Sequence, residues 1–148
     1  MGSTHLSLYY HIVFGTKHLD PVIGQSWRER LHAFLGGIVR SLDGVAIKVG
    51  GVSDHVHLLV RLRAATSLAD VLREIKSRSS KWVHEEIRIT ASAWQEGYGA
   101  FTVSSSAVAK VAEYIEHQEE HHRTRTFREE YVQFLERNGI EFDPKYLE

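Results

Sequence analysis

Hydrophobic and polar residues alternate along positions 6–14, which is the period of a half-buried β-strand. Apolar residues then recur at helical spacing through positions 20–44, where an Asp-Pro pair begins the helix and a glycine ends it. Two short apolar runs, at 45–49 and 55–62, predict two more strands separated by a glycine turn. The first half of the chain therefore predicts the order β-α-β-β.

The second half predicts a helix, a strand and two further helices. A second helix starts after Ser67, and an apolar stretch at 100–104 predicts the fourth strand. A third helix is expected over about 105–121, and a fourth over about 127–138. The whole order predicts a single α+β domain over residues 1–148, a ferredoxin-like sandwich with an antiparallel four-stranded sheet, helices on one face and C-terminal helices added.

Composition narrows the classes of function. The chain has 148 residues, of which 43% are hydrophobic, and it has no cysteine, so disulfides and thiolate metal sites are excluded. The sequence shows neither an apolar run long enough to span a membrane nor a secretion signal, so a soluble cytoplasmic protein is expected. The net charge of −1 does not favour a polyanionic partner, but the ten histidines cluster in a way that points to a site.

Two histidines lie one residue apart in the stretch S-D-H-V-H-L-L-V at 53–60. Side chains alternate along a strand, so Val56 points into the core, and His55 and His57 project from the other face, where they are expected to face the surface. Two imidazoles on one face can bind one metal ion. The other interpretation is a pair of polar residues at the start of a strand. Two ligands do not complete a metal site, so a third must come from another element.

The third predicted helix offers further candidates. Tyr114 and Gln118 are four residues apart and lie together at the border of an apolar stripe. Taken alone, Tyr114 fits an aromatic residue at the edge of the core, and Gln118 fits a solvated helix position. The combination of two strand histidines with a helix carrying Y-x-x-x-Q favours a functional site.

Four segments occur in an order and at a spacing that resemble one family. The segments are Y-H-I-V-F-G-T-K (10–17), D-H-V-H-L-L-V (54–60), W-Q-E-G-Y-G-A-F-T-V-S (94–104) and Y-I-E-H-Q-E-E-H-H (114–122). Together they resemble the single-tyrosine transposases of the smallest bacterial insertion sequences. These transposases belong to the HUH endonuclease superfamily, named for its His-hydrophobe-His motif, and include the REP-associated tyrosine transposases. The resemblance covers nearly the whole chain.

The resemblance implies a metal-dependent DNA endonuclease and strand transferase that acts on single-stranded DNA with hairpins at the element ends. It implies that His55, His57 and Gln118 bind the metal and that Tyr114 is the nucleophile. The implied ion is Mg²⁺ or Mn²⁺, whereas imidazole ligands by themselves favour zinc, nickel or iron. It also implies a homodimer in which the tyrosine-bearing helix of one chain serves the histidine pair of the other.

Two neighbouring histidines lie one turn beyond Gln118. His121 and His122 are candidates for orienting the ligands or contacting phosphate, and a solvated helix end is the other interpretation.

DNA binding needs a local basic surface, because the net charge supplies none. Basic residues on the second helix lie away from its apolar stripe, and other basic residues extend the surface they form. The candidates are Lys17, Lys48, Arg61, Arg63, Arg73, Lys76, Arg78 and Lys81. Trp94, Tyr98 and Phe101 could stack on unpaired bases, although aromatic residues beside a strand are more often core.

Two other classes of function remain. A replication or conjugation nickase would share the metal and the tyrosine, but such enzymes usually have a larger chain. A domesticated, non-catalytic nucleic-acid-binding module would retain the histidines as remnants. The four matching site residues argue against the latter.

Overall fold

The chain folds in the order β-α-β-β-α-β, followed by C-terminal helices, in a computed structural model that describes residues 2–147. The strands are β1 (Tyr9–Gly15), β2 (Val45–Gly51), β3 (His55–Arg61) and β4 (Gly99–Val103). The helices are α1 (Gln25–Ser41), α2 (Leu68–Trp82), α3 (Val108–Glu116), α4 (Gln118–His121) and α5 (Phe127–Arg137). The predicted order of strands and helices is confirmed.

The four strands form one antiparallel sheet in the order β2-β3-β1-β4. This is the ferredoxin-like arrangement, so the predicted α+β fold class is confirmed. The two central strands, β1 and β3, are paired so that Val13 lies opposite His57 and Gly15 lies opposite His55. The histidine pair therefore lies at the centre of the sheet.

One face of the sheet packs against α1 and α2. Its core includes Ile12 and Phe14 from β1 and Val56 and Leu58 from β3, all of which have no exposed surface. These side chains alternate with those of the opposite face, as the period of two residues predicts. The main hydrophobic core thus lies on the side away from the two histidines.

The other face is covered by the C-terminal helices. Phe127 and Leu135 of α5 pack in a second core with Val13 and Phe101 of the sheet. Helix α3 contacts β2 and β3 on this face, where Gly50 of β2 leaves room for the close approach of Ile115. No helix within residues 2–147 is both long and apolar enough to cross a membrane.

The first helix starts later than predicted. Asp20 does not cap it, because α1 begins at Gln25 after Gly24. The residues before α1 do not continue it as a helix. His18 and Leu19 have positive φ values of 58° and 55°, and this backbone conformation interrupts a regular helix.

The third helix is shorter than predicted. A continuous helix over about 105–121 was expected, but Ser105–Ala107 forms a 3₁₀ turn, and α3 ends at Glu116. His117 has φ −102° and ψ 31°, which breaks the helix before α4 starts at Gln118. Tyr114 and Gln118 thus lie on consecutive helices, separated by a kink.

The sequence signals for two helix starts are confirmed. The Ser67 hydroxyl accepts a hydrogen bond from the Asp70 amide over 3.3 Å at the start of α2. Thr126 and Glu129 form a reciprocal capping box at the start of α5. Helix α5 ends at Arg137, one residue before the predicted end.

Candidate active site

The two strand histidines are completely buried. His55 and His57 project from the same face of β3, as predicted, but both have 0% of their surface exposed. They were expected to face the surface, and that expectation is wrong because α5 covers this face. The ring of Phe127 stacks on His55 with centroids 4.1 Å apart, and Phe134 lies 6.2 Å from His57.

Gln118 reaches the histidine pair from α4. Its Oε1 atom lies 3.0 Å from His55 Nε2 and 3.1 Å from His122 Nε2, and the side chain is 1% exposed. The kink at His117 leaves Gln118 pointing into the sheet rather than along the border of a continuous helix. The structure thus brings Gln118, His55 and His122 together, and His122 contributes to the cluster itself rather than only supporting it.

Each of the three imidazoles is held through its Nδ1 atom. His55 Nδ1 lies 2.7 Å from Asp54 Oδ1, His122 Nδ1 lies 2.9 Å from the Arg125 carbonyl oxygen, and His57 Nδ1 lies 2.8 Å from His11 Nε2. Such contacts fix the ring orientation and leave Nε2 for a ligand. All three Nε2 atoms converge on one point in the interior.

A carboxylate that the sequence analysis did not identify lies at the centre of these atoms. Glu130 of α5 is 1% exposed, and its Oε1 atom lies 3.0 Å from His57 Nε2, 3.4 Å from His55 Nε2 and 3.2 Å from His122 Nε2. A buried carboxylate is costly unless it is paired, so these contacts account for its position.

Tyr114 lies beside the same carboxylate. Its hydroxyl donates a hydrogen bond to Glu130 Oε2 and accepts one from the Arg125 guanidinium, whose Nη2 atom is also 3.5 Å from Oε2. The ring stacks on His121 with centroids 4.5 Å apart and lies 6.0 Å from the ring of His57. The structure therefore brings Tyr114 to the predicted metal ligands within one chain.

The pKa values of the buried groups reflect burial and their charged partners. Burial acts to lower the pKa of His55, but hydrogen bonds to Asp54 and Glu130 outweigh it and raise the pKa to about 9. Burial lowers the pKa of His57 to about 4. Burial and the neighbouring Glu130 carboxylate raise the pKa of the Tyr114 phenol. The phenol is therefore protonated at neutral pH and must lose its proton during any attack on phosphorus.

The cluster can hold a metal ion. One ligand atom from each of His55, His57, His122 and Glu130 lies within 4.8 Å of the others, and Gln118 Oε1 joins them. Nitrogen and oxygen atoms of this kind bind divalent ions such as Mn²⁺ and Zn²⁺. The donor set thus fits a divalent metal ion.

The predicted basic surface is located mainly on the opposite side of the sheet. Helix α2 packs on the α1 face of the sheet, so Arg73, Arg78 and Lys81 are exposed on the side away from Tyr114. These three residues form the α2 strip. The Lys76 ammonium donates to the carbonyls of Gln95 and Gly97.

Other basic residues of the predicted surface lie apart from this strip. Lys17 is exposed after β1, and Arg61 is exposed at the end of β3. Lys48 lies 3.3 Å from Glu116 of α3, and Arg63 lies 3.2 Å from Asp43. The basic residues thus occupy several surfaces of the molecule rather than one.

The three aromatic residues near β4 have different environments. Trp94 packs edge-on against Phe14 with centroids 4.8 Å apart and donates to the Ser79 hydroxyl over 2.9 Å. Phe101 is 6% exposed, whereas Tyr98 is 37% exposed. Trp94 and Phe101 therefore belong to the core, and only Tyr98 is available to stack on a base.

The residues that the sequence analysis missed carry weak signals in the chain. Glu130 lies three residues after Phe127 and four before Phe134, so it is a carboxylate on the apolar stripe of α5. His11 is on the same face of β1 as Val13, opposite the histidine strand. Glu130 and His11 share one signal by which they could have been identified: each is a charged or polar residue on a face that is otherwise apolar.

The comparison with protein families identifies the chain. A family model described as IS200-like transposase matches residues 4–118. The chain belongs to the IS200-like transposase family. This confirms the resemblance seen in the four sequence segments.

Curated relatives of this IS200-like transposase are distant. The transposase for insertion sequence element IS200 of Salmonella typhimurium is 23% identical over 124 residues, covering 80% of this chain and 81% of that protein. The ISDra2 transposase TnpA of Deinococcus radiodurans is 25% identical over 117 residues, covering 75% of this chain and 84% of that protein.

Two solved structures share the fold. A protein from Deinococcus radiodurans R1, described as a transposase, has a TM-score of 0.62 and 22% identity, covering 80% of this chain and 96% of that chain. The REP-associated tyrosine transposase bound to a REP hairpin has a TM-score of 0.60 and 12% identity, covering 82% of this chain and 74% of that chain. The identities are low, so these matches support the fold alone.

The family match ends at Gln118, within the site. It includes His55, His57, Tyr114 and Gln118, whereas His122, Arg125 and Glu130 come from the segment that follows. This IS200-like transposase therefore completes its cluster with residues from α5 and the turn before it.

Proposed function

We propose that the chain is a single-tyrosine DNA transposase that cleaves and joins single-stranded DNA. The observation that carries this proposal is the Tyr114 hydroxyl, which contacts the carboxylate shared by His55, His57 and His122. Membership of a transposase family supports the same conclusion. A nucleophile beside a cation-binding cluster suits attack on a phosphodiester, which is anionic and a poor electrophile.

Tyr114 attacks the phosphorus atom of the scissile phosphate in this mechanism. A bond forms between the tyrosine oxygen and phosphorus, the bond to the 3′ oxygen breaks, and the leaving 3′ oxygen takes up a proton. The product is a 5′-phosphotyrosine linkage, which retains the energy of the broken bond. Attack by a free 3′ hydroxyl on that linkage rejoins DNA and regenerates Tyr114 without ATP.

Two side chains prepare Tyr114 for this reaction. Glu130 Oε2 accepts the hydrogen bond from the hydroxyl, so it is the proton acceptor closest at hand when the bond to phosphorus forms. The Arg125 guanidinium also contacts the hydroxyl, where it would stabilise the charge that develops on the phosphate oxygens.

A divalent ion would be held by His55, His57 and Gln118, the set that the resemblance implies. When bound, Mg²⁺ or Mn²⁺ neutralises charge on the phosphate and stabilises the departing oxygen. His121 stacks on the Tyr114 ring and keeps the nucleophile oriented.

The substrate is proposed to be single-stranded DNA marked by hairpins. A relative of the same fold is described as bound to a REP hairpin. Exposed Arg73 and Lys81 on α2 would contact phosphates of the hairpin stem, on the side of the sheet away from the cleavage site. A cytoplasmic location is part of this proposal, because the substrate is cellular DNA.

The oligomeric state has two possible forms. The resemblance implies a homodimer in which the tyrosine-bearing helix of one chain serves the histidines of the other. The contacts of α3 support a site completed within one chain, because this helix packs on its own β2 and β3. Mixing inactive variants distinguishes the two forms.

The decisive test is formation of a covalent adduct. Wild-type protein, Mn²⁺ and single-stranded DNA from the flanks of its own gene are incubated and separated on a denaturing gel. Wild-type protein should give a slower band that contains both protein and DNA, and Tyr114→Phe should give none while still binding the hairpin. Tyr131→Phe, a change on α5 that removes a phenol outside the cluster, is the matched control and should form the adduct.

The result also tests the alternatives. If wild-type protein forms no adduct with any flanking DNA, the result supports a domesticated binding module instead. An adduct formed by Tyr114→Phe would show that another residue is the nucleophile.

A further inference from the structure

Glu130 makes more contacts than a structural ion pair requires. One oxygen, Oε1, lies within 3.4 Å of the Nε2 atoms of three different histidines, and the other, Oε2, contacts the nucleophile. We propose that Glu130, supplied by the C-terminal helix α5, is a ligand of the metal ion through Oε1 while Oε2 holds the Tyr114 hydroxyl. The reaction that this ligand serves rests on the proposed function.

The distances between donor atoms fit a coordination shell. Two ligands about 2.1 Å from one ion lie about 3.0 Å apart at a right angle and about 3.4 Å apart at a tetrahedral angle. Glu130 Oε1 lies 3.0, 3.2 and 3.4 Å from the three Nε2 atoms. Gln118 Oε1 lies 3.0 and 3.1 Å from two of them. These five distances therefore match the spacing expected around one ion.

The hydrogen-bonding roles of the atoms fit a cation at the centre of the cluster. The partners of Nδ1 in His55 and His122 are a carboxylate and a carbonyl oxygen, which only accept, so both Nδ1 atoms carry protons. A ring with its proton on Nδ1 offers a lone pair at Nε2, and the oxygen atoms of Glu130 and Gln118 that face these Nε2 atoms are also acceptors. A divalent ion between them would be bound by all of these atoms.

The second carboxylate oxygen connects the cluster to the nucleophile. Gln118 Nε2 lies 3.3 Å from Oε2, and Arg125 Nη2 lies 3.5 Å from it. These contacts hold the carboxylate plane so that one oxygen faces the imidazoles and the other faces Tyr114. Helix α5 thereby fixes the distance between nucleophile and ion, although it lies outside the segment that the family match covers.

Metal binding tests the proposal without reference to DNA cleavage. Calorimetry measures Mn²⁺ binding to the full chain, and Mn²⁺ is the probe because three imidazoles and a carboxylate suit a transition-metal ion better than Mg²⁺. Glu130→Gln should weaken Mn²⁺ binding by about 10-fold or more, because glutamine has a similar size to glutamate but lacks its negative charge. Glu136→Gln, on an exposed position of α5, is the matched control and should bind like wild type.

A thermal melt in EDTA shows whether Glu130→Gln is folded. If this variant folds poorly, two further measurements test the proposal. Glu130→Asp keeps the charge but shortens the reach, and should also weaken binding. Crystals of the wild-type protein soaked in Mn²⁺ should give an anomalous peak bonded to Glu130 Oε1. Unchanged affinity in Glu130→Gln, or a peak bonded to the histidines but not to Glu130, would overturn the proposal.

The outcomes for the ligand and for the function are separable. If wild-type protein forms the covalent adduct and Glu130→Gln binds Mn²⁺ as wild type does, Glu130 is not a metal ligand, and the proposed transposase function still stands. If Glu130→Gln binds Mn²⁺ more weakly but wild-type protein forms no adduct, Glu130 is a metal ligand and the proposed function is contradicted.

Discussion

The Nε2 atom of His57 and the Oε1 atom of Glu130 lie 3.0 Å apart, although 73 positions separate the two residues in the chain. One residue lies on a central strand and the other on the last helix. Their contact ties α5 to the centre of the sheet and buries both groups. It therefore links the stability of the fold to the residues proposed for catalysis.

Replacing a site histidine should reduce stability as well as cleavage. His57→Ala removes a fully buried ring and its contacts with Glu130 and His11, so we expect it to lower the free energy of unfolding by about 3 kcal/mol. Urea denaturation in EDTA measures the loss, and His5→Ala, at an exposed position near the N-terminus, is the control. A His57→Ala protein as stable as wild type would contradict the buried position of the ring.

Arg125 should affect cleavage far more than hairpin binding. Its guanidinium contacts the Tyr114 hydroxyl and Glu130, so Arg125→Ala removes a charge next to the reacting phosphate. We expect adduct formation to slow by about 100-fold. Single-turnover kinetics measure the rate, with hairpin affinity measured in parallel. The control is Arg137→Ala at the exposed end of α5. Equal loss of rate and of affinity would instead assign Arg125 to general DNA binding.

Mixing two inactive variants tests whether the site is shared. Tyr114→Phe and His57→Ala protein are combined at several ratios, with time allowed for subunit exchange, and cleavage is measured. Because Tyr114 lies in the site of its own chain, we expect the mixture to remain inactive. Recovery of cleavage would instead support the shared-site homodimer that the family resemblance implies.

The basic strip on α2 should contribute to DNA affinity through phosphates. Arg73→Ala combined with Lys81→Ala removes two exposed charges, and the slope of log affinity against log salt should become less steep by about two. Filter binding with the hairpin at several salt concentrations measures this slope. Adduct formation at saturating DNA should persist, since the strip lies on the far side of the sheet. An unchanged slope would place the hairpin on another surface.

Local patterns in the sequence determined the order of elements and the starts of α2 and α5, although the capping signal at Asp20 was wrong for α1. Alternation along the strands identified which residues face α1 and α2, because side-chain direction follows from a period of two. The cap at Ser67 and the capping box at Thr126 were predictable, since each involves residues only three positions apart. The residues of the four matched segments also indicated the family, which the comparison confirmed.

Only the tertiary structure decided that the histidines are buried and that Glu130 joins them. A strand shows which side its residues face but not what covers that side, so the position of α5 could not be deduced from S-D-H-V-H-L-L-V. The break at His117 was likewise not predicted, because periodicity alone indicated an unbroken helix. Contacts such as His57 with Glu130 form between distant parts of the chain, and their geometry depends on packing that no local sequence pattern specifies.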